Sequence, residues 1–440
     1  MSSAMNPEPA PADVAVVGAG IIGLSVAMYL VTQGRSVLLI DRKGIAQETS
    51  AQNAGALAFS DILPLASPRI LRQAPRWLLD PLGPLAIRPG YALRMLPWLM
   101  RFGLASRPSA YRASLQAQTK LMQLAAPAFH AMLARAKASH MIRQDGSLQV
   151  YESDAEFQSN LAGWQLRAEA GIAFEHVKGE RLRELQPGLA SSIVAGTFVP
   201  HWETVSDPFE VASALGRHVL QAGAAWRQAE VRSIAVREGG VELRLAQGDT
   251  VRAKQAVIAT GAWSRQLAAQ LGDAIPLDTE RGYNTTLPPG AFDLKRQIIF
   301  GAHGFVVTPL STGIRVGGAV ELGGLKLPPN FERSAHMLGK AARLLPGLRT
   351  EGGTQWMGYR PSLPDSLPVI GHASASRQVV YAFGHGHLGL TQSAATGHLV
   401  AQLLAERTPS IALEAFRPDR FRWTGAPTPP EGFSEPSLRL

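Results

Sequence analysis

Apolar residues fall along the chain in short runs, and glycine and proline separate them. Val14–Val17 and Val37–Ile40 are compact aliphatic runs, so strands are predicted at Asp13–Val17 and Val37–Ile40. Between them Ile21–Gln33 is long enough for a helix, with Gly34 placed to end it. Val14–Val31 also forms 18 residues without a charge, long enough to raise a membrane span. Three glycines inside the run and a flank, Met1–Asp13, without lysine or arginine argue instead for strand, glycine turn and helix.

Farther along, Thr49–Ser60 is small and polar and reads as a loop. Seven prolines break Leu63–Arg107, which predicts only short helices there. Ser114–Ser139 reads as a longer helix kinked at Pro127. Strand signals return at Ser147. Asp207-Pro208 is a cap followed by a first-turn proline, opening a helix through Gln221. Strands are predicted at Glu230–Val236, Val241–Ala246, Thr250–Val251 and Ala256–Ala259, and an antiparallel pair at Gly304–Leu310 and Gly313–Val320. A helix over Arg333–Leu345, a strand over Gln378–Phe383, a glycine-rich turn and a helix over Thr391–Leu404 complete the order. Met1–Ala12 and the segment after Arg417 read as tails.

This order predicts an α/β protein. A Rossmann-like nucleotide-binding domain would be assembled from 1–62, 206–275 and 355–440. It would interleave with a second domain, 63–205 and 276–354, built on an antiparallel or mixed sheet with helices. Residues 64–112 would form a basic helical insertion.

Composition narrows the chemistry. Hydrophobic residues are 46% and charged residues 18%, a globular balance that excludes intrinsic disorder. With zero cysteines the chain has no disulfide, thiolate nucleophile, iron–sulfur cluster or thioether-linked cofactor. The formal net charge is +9, and Arg69–Arg107 holds seven arginines against the single acid Asp80. Trp77, Tyr91, Trp98 and Phe102 lie in the same segment. It reads either as a solvated basic face or as a peripheral contact with an anionic membrane surface. No nucleic-acid-binding signature accompanies it. A cytoplasmic protein, with peripheral attachment to the inner face of the cytoplasmic membrane as the variant, is the expectation.

Gly18-Ala-Gly20-Ile-Ile22-Gly23 matches G-x-G-x-x-G between a predicted strand and helix, and Asp41-Arg42 closes the next strand. Gly18 permits a tight turn, Gly20 lets a pyrophosphate approach the backbone, and Gly23 lets the helix pack closely. The helix N-terminus offers free N–H groups to phosphate, and Asp41 can accept from a ribose hydroxyl. The fingerprint alone fits NAD or FAD. The long insertion that breaks the βαβ unit favours FAD, whose elongated body needs several separate stretches of chain. His385 and His387 form H-x-H near His372 and His201, but the glycines around them favour close ligand approach over a metal site. No serine has the G-x-S-x-G context of a hydrolase.

The segments GAGIIGLSVAMYL (18–30), ETSAQNAGAL (48–57), VIATGAWS (257–264), GYRPSLPDSLPVIG (358–371) and FGHGHLGLTQSAATG (383–397) span nearly the whole chain. In that order the sequence resembles the D-amino-acid oxidase and dehydrogenase family of flavoproteins. It is most similar to bacterial D-amino-acid dehydrogenases of the small-subunit type, including those acting on hydroxy-D-proline. The resemblance implies noncovalent FAD, with Ser50, Asn53, Ala54 and Gly55 along the flavin and Val231 at the adenine. It places Thr260, Gly261 and Trp263 over the ADP part, and Gly384, Gly389, Leu390 and Thr391 at the pyrimidine edge. A helix N-terminus there would favour the negative charge of reduced flavin.

The resemblance further implies that Arg360 takes a substrate carboxylate in bidentate fashion. Tyr283 would add a hydroxyl, with Arg281 and Tyr359 as weaker candidates. The implied reaction is oxidation of a D-amino or D-imino acid by hydride transfer from the α-carbon to flavin N5. The product would be an imine that hydrolyses to a 2-oxo acid, or a cyclic imine, and a quinone or other acceptor would take the electrons. Three readings stay open beside it: a glycine- or sarcosine-type oxidase using oxygen, a flavin-dependent 2-hydroxy acid dehydrogenase, and a non-enzymatic basic binding module.

Overall fold

The apolar strand Ala12–Val17 lies inside the first of two large sheets, where Val14 to Val16 are fully buried. The computed structural model describes residues 12–78, 80 and 82–422, the side chains of Pro75 and Arg76 excepted. Residues 1–11 and 423–440, which hold most of the two predicted tails, lie outside the described residues, as does the side chain of Arg76 in the basic segment.

Ala12–Val17 pairs in parallel with Val37–Asp41 on one side and Thr250–Ile258 on the other. Ala225–Gln228 extends the parallel set past Val37–Asp41, and Ser376–Phe383 runs parallel to the end of Thr250–Ile258. A meander, Val231–Arg237 with Gly240–Leu245, and the strand Val369–Ala373 add antiparallel partners. The helix Ile21–Thr32 is apolar on nearly every side, which requires burial all round. It packs against the helices Pro208–Gln221 and Gly389–Leu404. Gly397 makes the second contact close, because a Cβ there would come within 2.7 Å of the Ser25 carbonyl. The uncharged stretch Val14–Val31 is therefore strand, turn and helix. Among the described residues no helix is long and apolar enough to cross a membrane.

The second sheet is mixed and has nine strands among the described residues. Its edge strand Thr354–Ser362 pairs antiparallel with Asp278–Leu287, followed by Gly313–Leu322, Phe305–Leu310 and Gln297–Phe300. Ser147–Tyr151 joins Gln297–Phe300 in parallel, and Ala195–Val199 and Glu175–Lys178 complete the row. A short strand, Leu85–Ile87, attaches the basic segment to Gly313–Leu322. The helix Glu332–Leu344 covers this sheet with Met337, Ala341 and Leu344.

Proline content misleads at one place: the helix Ala92–Ala105 runs through Pro97, whose ring is solvent-exposed. The longer helix predicted around Pro127 is Pro108–Arg135. The Asp207 cap is formed as its spacing predicts, accepting from the N–H groups of Phe209 and Glu210. The helices Asp154–Glu169 and Gly179–Leu185 arise where the sequence offered only strand signals.

Candidate functional site

The turn after the first strand is fixed by contacts that only glycine permits. Gly18 has φ +106°, and a Cβ there would lie 2.4 Å from the Ala259 carbonyl oxygen. Gly23 presses the helix onto that same turn, since its Cβ would fall 1.8 Å from the Gly18 carbonyl. The Ala19 N–H donates to Asp41 Oδ2 at 2.9 Å, and Lys43 and Gly44 N–H donate to Oδ1. Asp41 thereby joins the two strand ends while still facing the cavity. Ser50 Oγ accepts from the Ile21 N–H at 2.9 Å, so the Ser50 loop is anchored on the helix N-terminus beside Gly20. Asn53 folds that loop on itself, accepting from Gly55 N–H and donating to the Ser50 carbonyl. Arg42 stacks 4.0 Å over the Trp263 ring and pairs with Glu48 at 2.7 Å. Ile22, Ala54, Val231, Thr260 and Gly261 line the same cavity.

At the far end Gly389 and Leu390 reach the cavity from the first turn of their helix. Thr391 does not line it. Its hydroxyl accepts from Ala58 N–H at 3.0 Å and donates to the Ala56 carbonyl, which ties the Ala56–Ala58 segment to the helix. Gly384 borders a small recess beside the cavity. The two histidines of the H-x-H pair diverge. His385 Nε2 meets Thr396 Oγ1 at 2.9 Å, and burial pulls its pKa down to about 3. His387 Nε2 meets Asp61 Oδ2 at 3.3 Å, and Arg167 holds the other Asp61 oxygen at 3.2 Å. Burial pushes the Asp61 carboxyl up, but His387 and Arg167 outweigh it and hold it below its ordinary value.

On the second sheet, register decides which side chains meet the cavity. Asp278–Leu287 and Thr354–Ser362 pair Glu280 with Arg360, Gly282 with Gly358 and Asn284 with Trp356, all on the cavity side. Arg360 bends over Gly282 and donates to the Ala319 carbonyl at 2.9 Å. Ala319 supplies that carbonyl from φ +55°, an unusual conformation for a residue with a Cβ. Burial lowers the Arg360 pKa, with Glu280 acting in the opposite sense.

Tyr283 also borders the cavity, Arg281 does not, and the two share a buried cluster around Glu321. The Tyr283 hydroxyl donates to Glu321 Oε2 at 2.7 Å and accepts from Asn330 N–H. Arg281 is fully buried, ion-pairs with Glu321 at 3.3 Å and donates to the Gly324, Leu327 and Pro328 carbonyls. Tyr359 packs edge-on against Trp263 with ring centres 5.6 Å apart. Two buried charged residues of the cavity wall drew no attention in the sequence. Arg315 is buried, donates to the Asn53 carbonyl at 2.6 Å, and has its pKa lowered to about 10 by burial. Glu280 is 7% exposed. The only prior signal for either was strand alternation, which says nothing until the register is known.

The cavity has a volume of about 800 Å³ and is lined from both sheets. One end is a glycine turn at a helix N-terminus, where side chains are sterically barred and a pyrophosphate fits. The middle passes the Ser50–Ala54 loop, and the other end carries Arg360. The length of the cavity and its glycine turn fit a flavin dinucleotide, and Asp41 and Arg42 stand beside that turn. The fold and this cradle define a dinucleotide-binding oxidoreductase.

Residues 13–403 match the model of the DAO family, FAD dependent oxidoreductase. The chain is 36% identical over 418 residues to a D-amino-acid oxidase of Bradyrhizobium diazoefficiens, covering 93% of this chain and 98% of that one. It is 29% identical over 405 residues to a D-amino acid dehydrogenase of Allorhizobium ampelinum, covering 90% and 96%. In fold it superposes on glycine oxidase from Geobacillus kaustophilus with a TM-score of 0.73 at 23% identity, covering 92% and 98%. The chain belongs to the DAO family of FAD-dependent oxidoreductases. It is an enzyme, and FAD is its cofactor.

Proposed function

We propose that this enzyme oxidises D-amino or D-imino acids at the α-carbon. The observation that carries the reading is Arg360. Its guanidinium stands in the wall of the FAD cavity, held by the Ala319 and Gly318 carbonyls, and among the described residues no carboxylate forms a salt bridge with it. A cation so placed is matched by a ligand carboxylate bound in bidentate fashion. The D configuration rests on the names of the two sequence relatives.

FAD, when bound, accepts hydride from the α-carbon. The chain's own share is binding and orientation. Arg360 holds the carboxylate and so limits the rotation of the Cα–H bond. The Gly389 helix turns its N-terminal dipole toward the cavity, which favours negative charge there. Leu388 and Leu390 line that wall and limit water. The Cα–N product hydrolyses to a 2-oxo acid, or stays cyclic when the nitrogen is in a ring. A quinone or other acceptor takes the electrons, and the basic segment at 69–107 brings the protein to an anionic membrane surface.

Anaerobic mixing of the FAD-loaded protein with D- and L-amino acids, D-proline, glycine and lactate tests the reading through bleaching of the flavin absorption. D-Amino or D-imino acids are expected to bleach it. Bleaching by lactate alone would replace the reading with 2-hydroxy acid oxidation. Stoichiometric peroxide in air would replace the quinone with oxygen. Arg360→Ala is expected to raise KM about 10- to 100-fold with flavin retained, the loss of one charge-assisted pair.

A further inference from the structure

Glu280 is a buried carboxylate that the chemistry so far leaves idle. It sits directly across from Arg360 in the antiparallel ladder, on the same face of the sheet. Side chains so paired have Cβ atoms about 5 Å apart. Yet Arg360 does not close on it: Nη1 and Nη2 each give one N–H to the Ala319 and Gly318 carbonyls, which draws the guanidinium along the wall and leaves donors over for an anion. Among the described residues no side chain forms a hydrogen bond or ion pair with the Glu280 carboxylate. A carboxylate in a cavity wall with no side chain in hydrogen-bond contact is open to a cation from outside the chain.

The surroundings of Glu280 narrow the kind of cation. Glu280 borders both the FAD cavity and the recess beside it, whose volume is about 20 Å³. That space holds about one water-sized group, so no long cationic side chain can be seated there. The recess is walled mostly by apolar side chains, Leu63, Leu65, Phe102 and Leu363 among them, with a few polar atoms at its surface. Ser362 Oγ, the Trp98 indole N–H and Gln118 Oε1 face it, each more than nine-tenths buried and without a protein partner. The cation must therefore approach from the FAD cavity, next to the anion that Arg360 holds. An α-amino acid carries such a pair, with its nitrogen about 2.5 Å from its carboxylate carbon.

We propose that Glu280 binds the α-nitrogen of the substrate while Arg360 binds its carboxylate, so that the two cross-strand residues grip the zwitterion at both ends; the ammonium gives up one proton to solvent before hydride leaves, because the C=N bond forms from the nitrogen lone pair. The inference rests on the amino-acid reading above and deepens it. Three atoms of the substrate, carboxylate carbon, α-carbon and nitrogen, are then fixed by one rung of one sheet. The fourth substituents, hydrogen and side chain, are left to the remaining walls. A 2-hydroxy acid would give Glu280 only a neutral hydroxyl, so the same pair selects amines over alcohols.

The test compares the FAD-loaded wild type with Glu280→Gln and Glu280→Asp, reading binding from the perturbation of flavin absorption and turnover from its bleaching. Two ligands are titrated: the amino acid that best reduces the wild type, and propionate, a carboxylate without nitrogen. Glu280→Gln is expected to weaken the amino acid about 10- to 100-fold, one charged hydrogen bond, and to leave propionate within about threefold. Glu280→Asp keeps the charge but withdraws it, and is expected to weaken the amino acid by about three- to tenfold with propionate again unchanged. It carries the test if the glutamine variant does not fold. Equal losses for both ligands, or no loss for the amino acid, would overturn the role of Glu280 alone. A wild type that binds propionate but is neither perturbed nor reduced by any amino acid would overturn the amino-acid reading, and this inference with it.

Discussion

Arg360 occupies the space that a side chain at Gly282 would need. A Cβ at position 282 would lie 2.4 Å from Arg360 Nη2 and 2.5 Å from Cζ. The absence of a side chain on one strand is thus what lets the guanidinium of its neighbour lie flat in the cavity wall. Gly282→Ala is expected to push Arg360 off the Ala319 carbonyl. KM for a carboxylate substrate should rise about tenfold or more, the usual loss on misplacing a charged hydrogen bond, with flavin content unchanged. Steady-state kinetics with the flavin spectrum as control checks this, and an unaltered KM would detach Arg360 from substrate binding.

Tyr283 separates a binding role from a structural one. Its hydroxyl is held between Glu321 and the Asn330 N–H, and burial raises its pKa. Tyr283→Phe leaves Glu321 short of a donor in a buried cluster with Arg281. A loss of about 1–3 kcal/mol in stability is expected, with KM moved by less than about twofold. Urea unfolding beside kinetics gives both numbers, and a large KM effect at unchanged stability would return Tyr283 to the substrate.

The nucleotide end of the site was legible because its chemistry is local. Gly18, Gly20, Gly23 and Asp41 lie in one strand–turn–helix–strand unit, and spacing alone fixes their relation. The substrate end was legible only through resemblance. Arg360 and Glu280 are 80 positions apart, and nothing in either segment reveals that they share a rung. Tyr283 and Arg360 both border the cavity, but only the register shows that the Tyr283 hydroxyl is held by Glu321 and Asn330 rather than by Arg360. Pro97 shows a further limit: a proline weakens one helical bond, but tertiary packing of Met95 and Trp98 outweighs that local cost.

His385 gives acid sensitivity with a defined sign. Burial lowers its folded pKa to about 3, from an ordinary value of 6.5. Below pH 6.5 the unfolded chain takes up a proton that the folded one refuses, so stability falls as pH drops from 6.5 toward 3. The contribution is up to about 1.4 kcal/mol per pH unit within that window. His385→Asn removes the titration. Thermal unfolding of the two proteins from pH 8 to 4 should show a shallower decline for the variant, and parallel curves would refute the assignment.

The basic segment carries an apolar face as well as charge. Among the described residues, six of the eight large apolar side chains standing exposed are Leu71, Leu78, Leu93, Leu96, Met100 and Leu104. The last four follow one stripe of the helix Ala92–Ala105, while Met95 and Trp98 face the protein. Leu93 is 82% and Met100 67% exposed, and Arg94 and Arg107 stand exposed at the rim. A helix so divided is suited to the boundary between anionic headgroups and acyl chains. Flotation with vesicles containing an anionic lipid should recover the protein at low salt and lose it progressively as salt screens the arginines. Leu93→Asp with Met100→Asp should abolish recovery while leaving reduction of the flavin in solution unchanged. Each buried apolar chain contributes about 1.5–3 kcal/mol, so losing two of them outweighs the attraction of the remaining arginines. Flotation that survives the double change would assign the association to charge alone, and no flotation of the wild type would remove the membrane from the account of electron transfer.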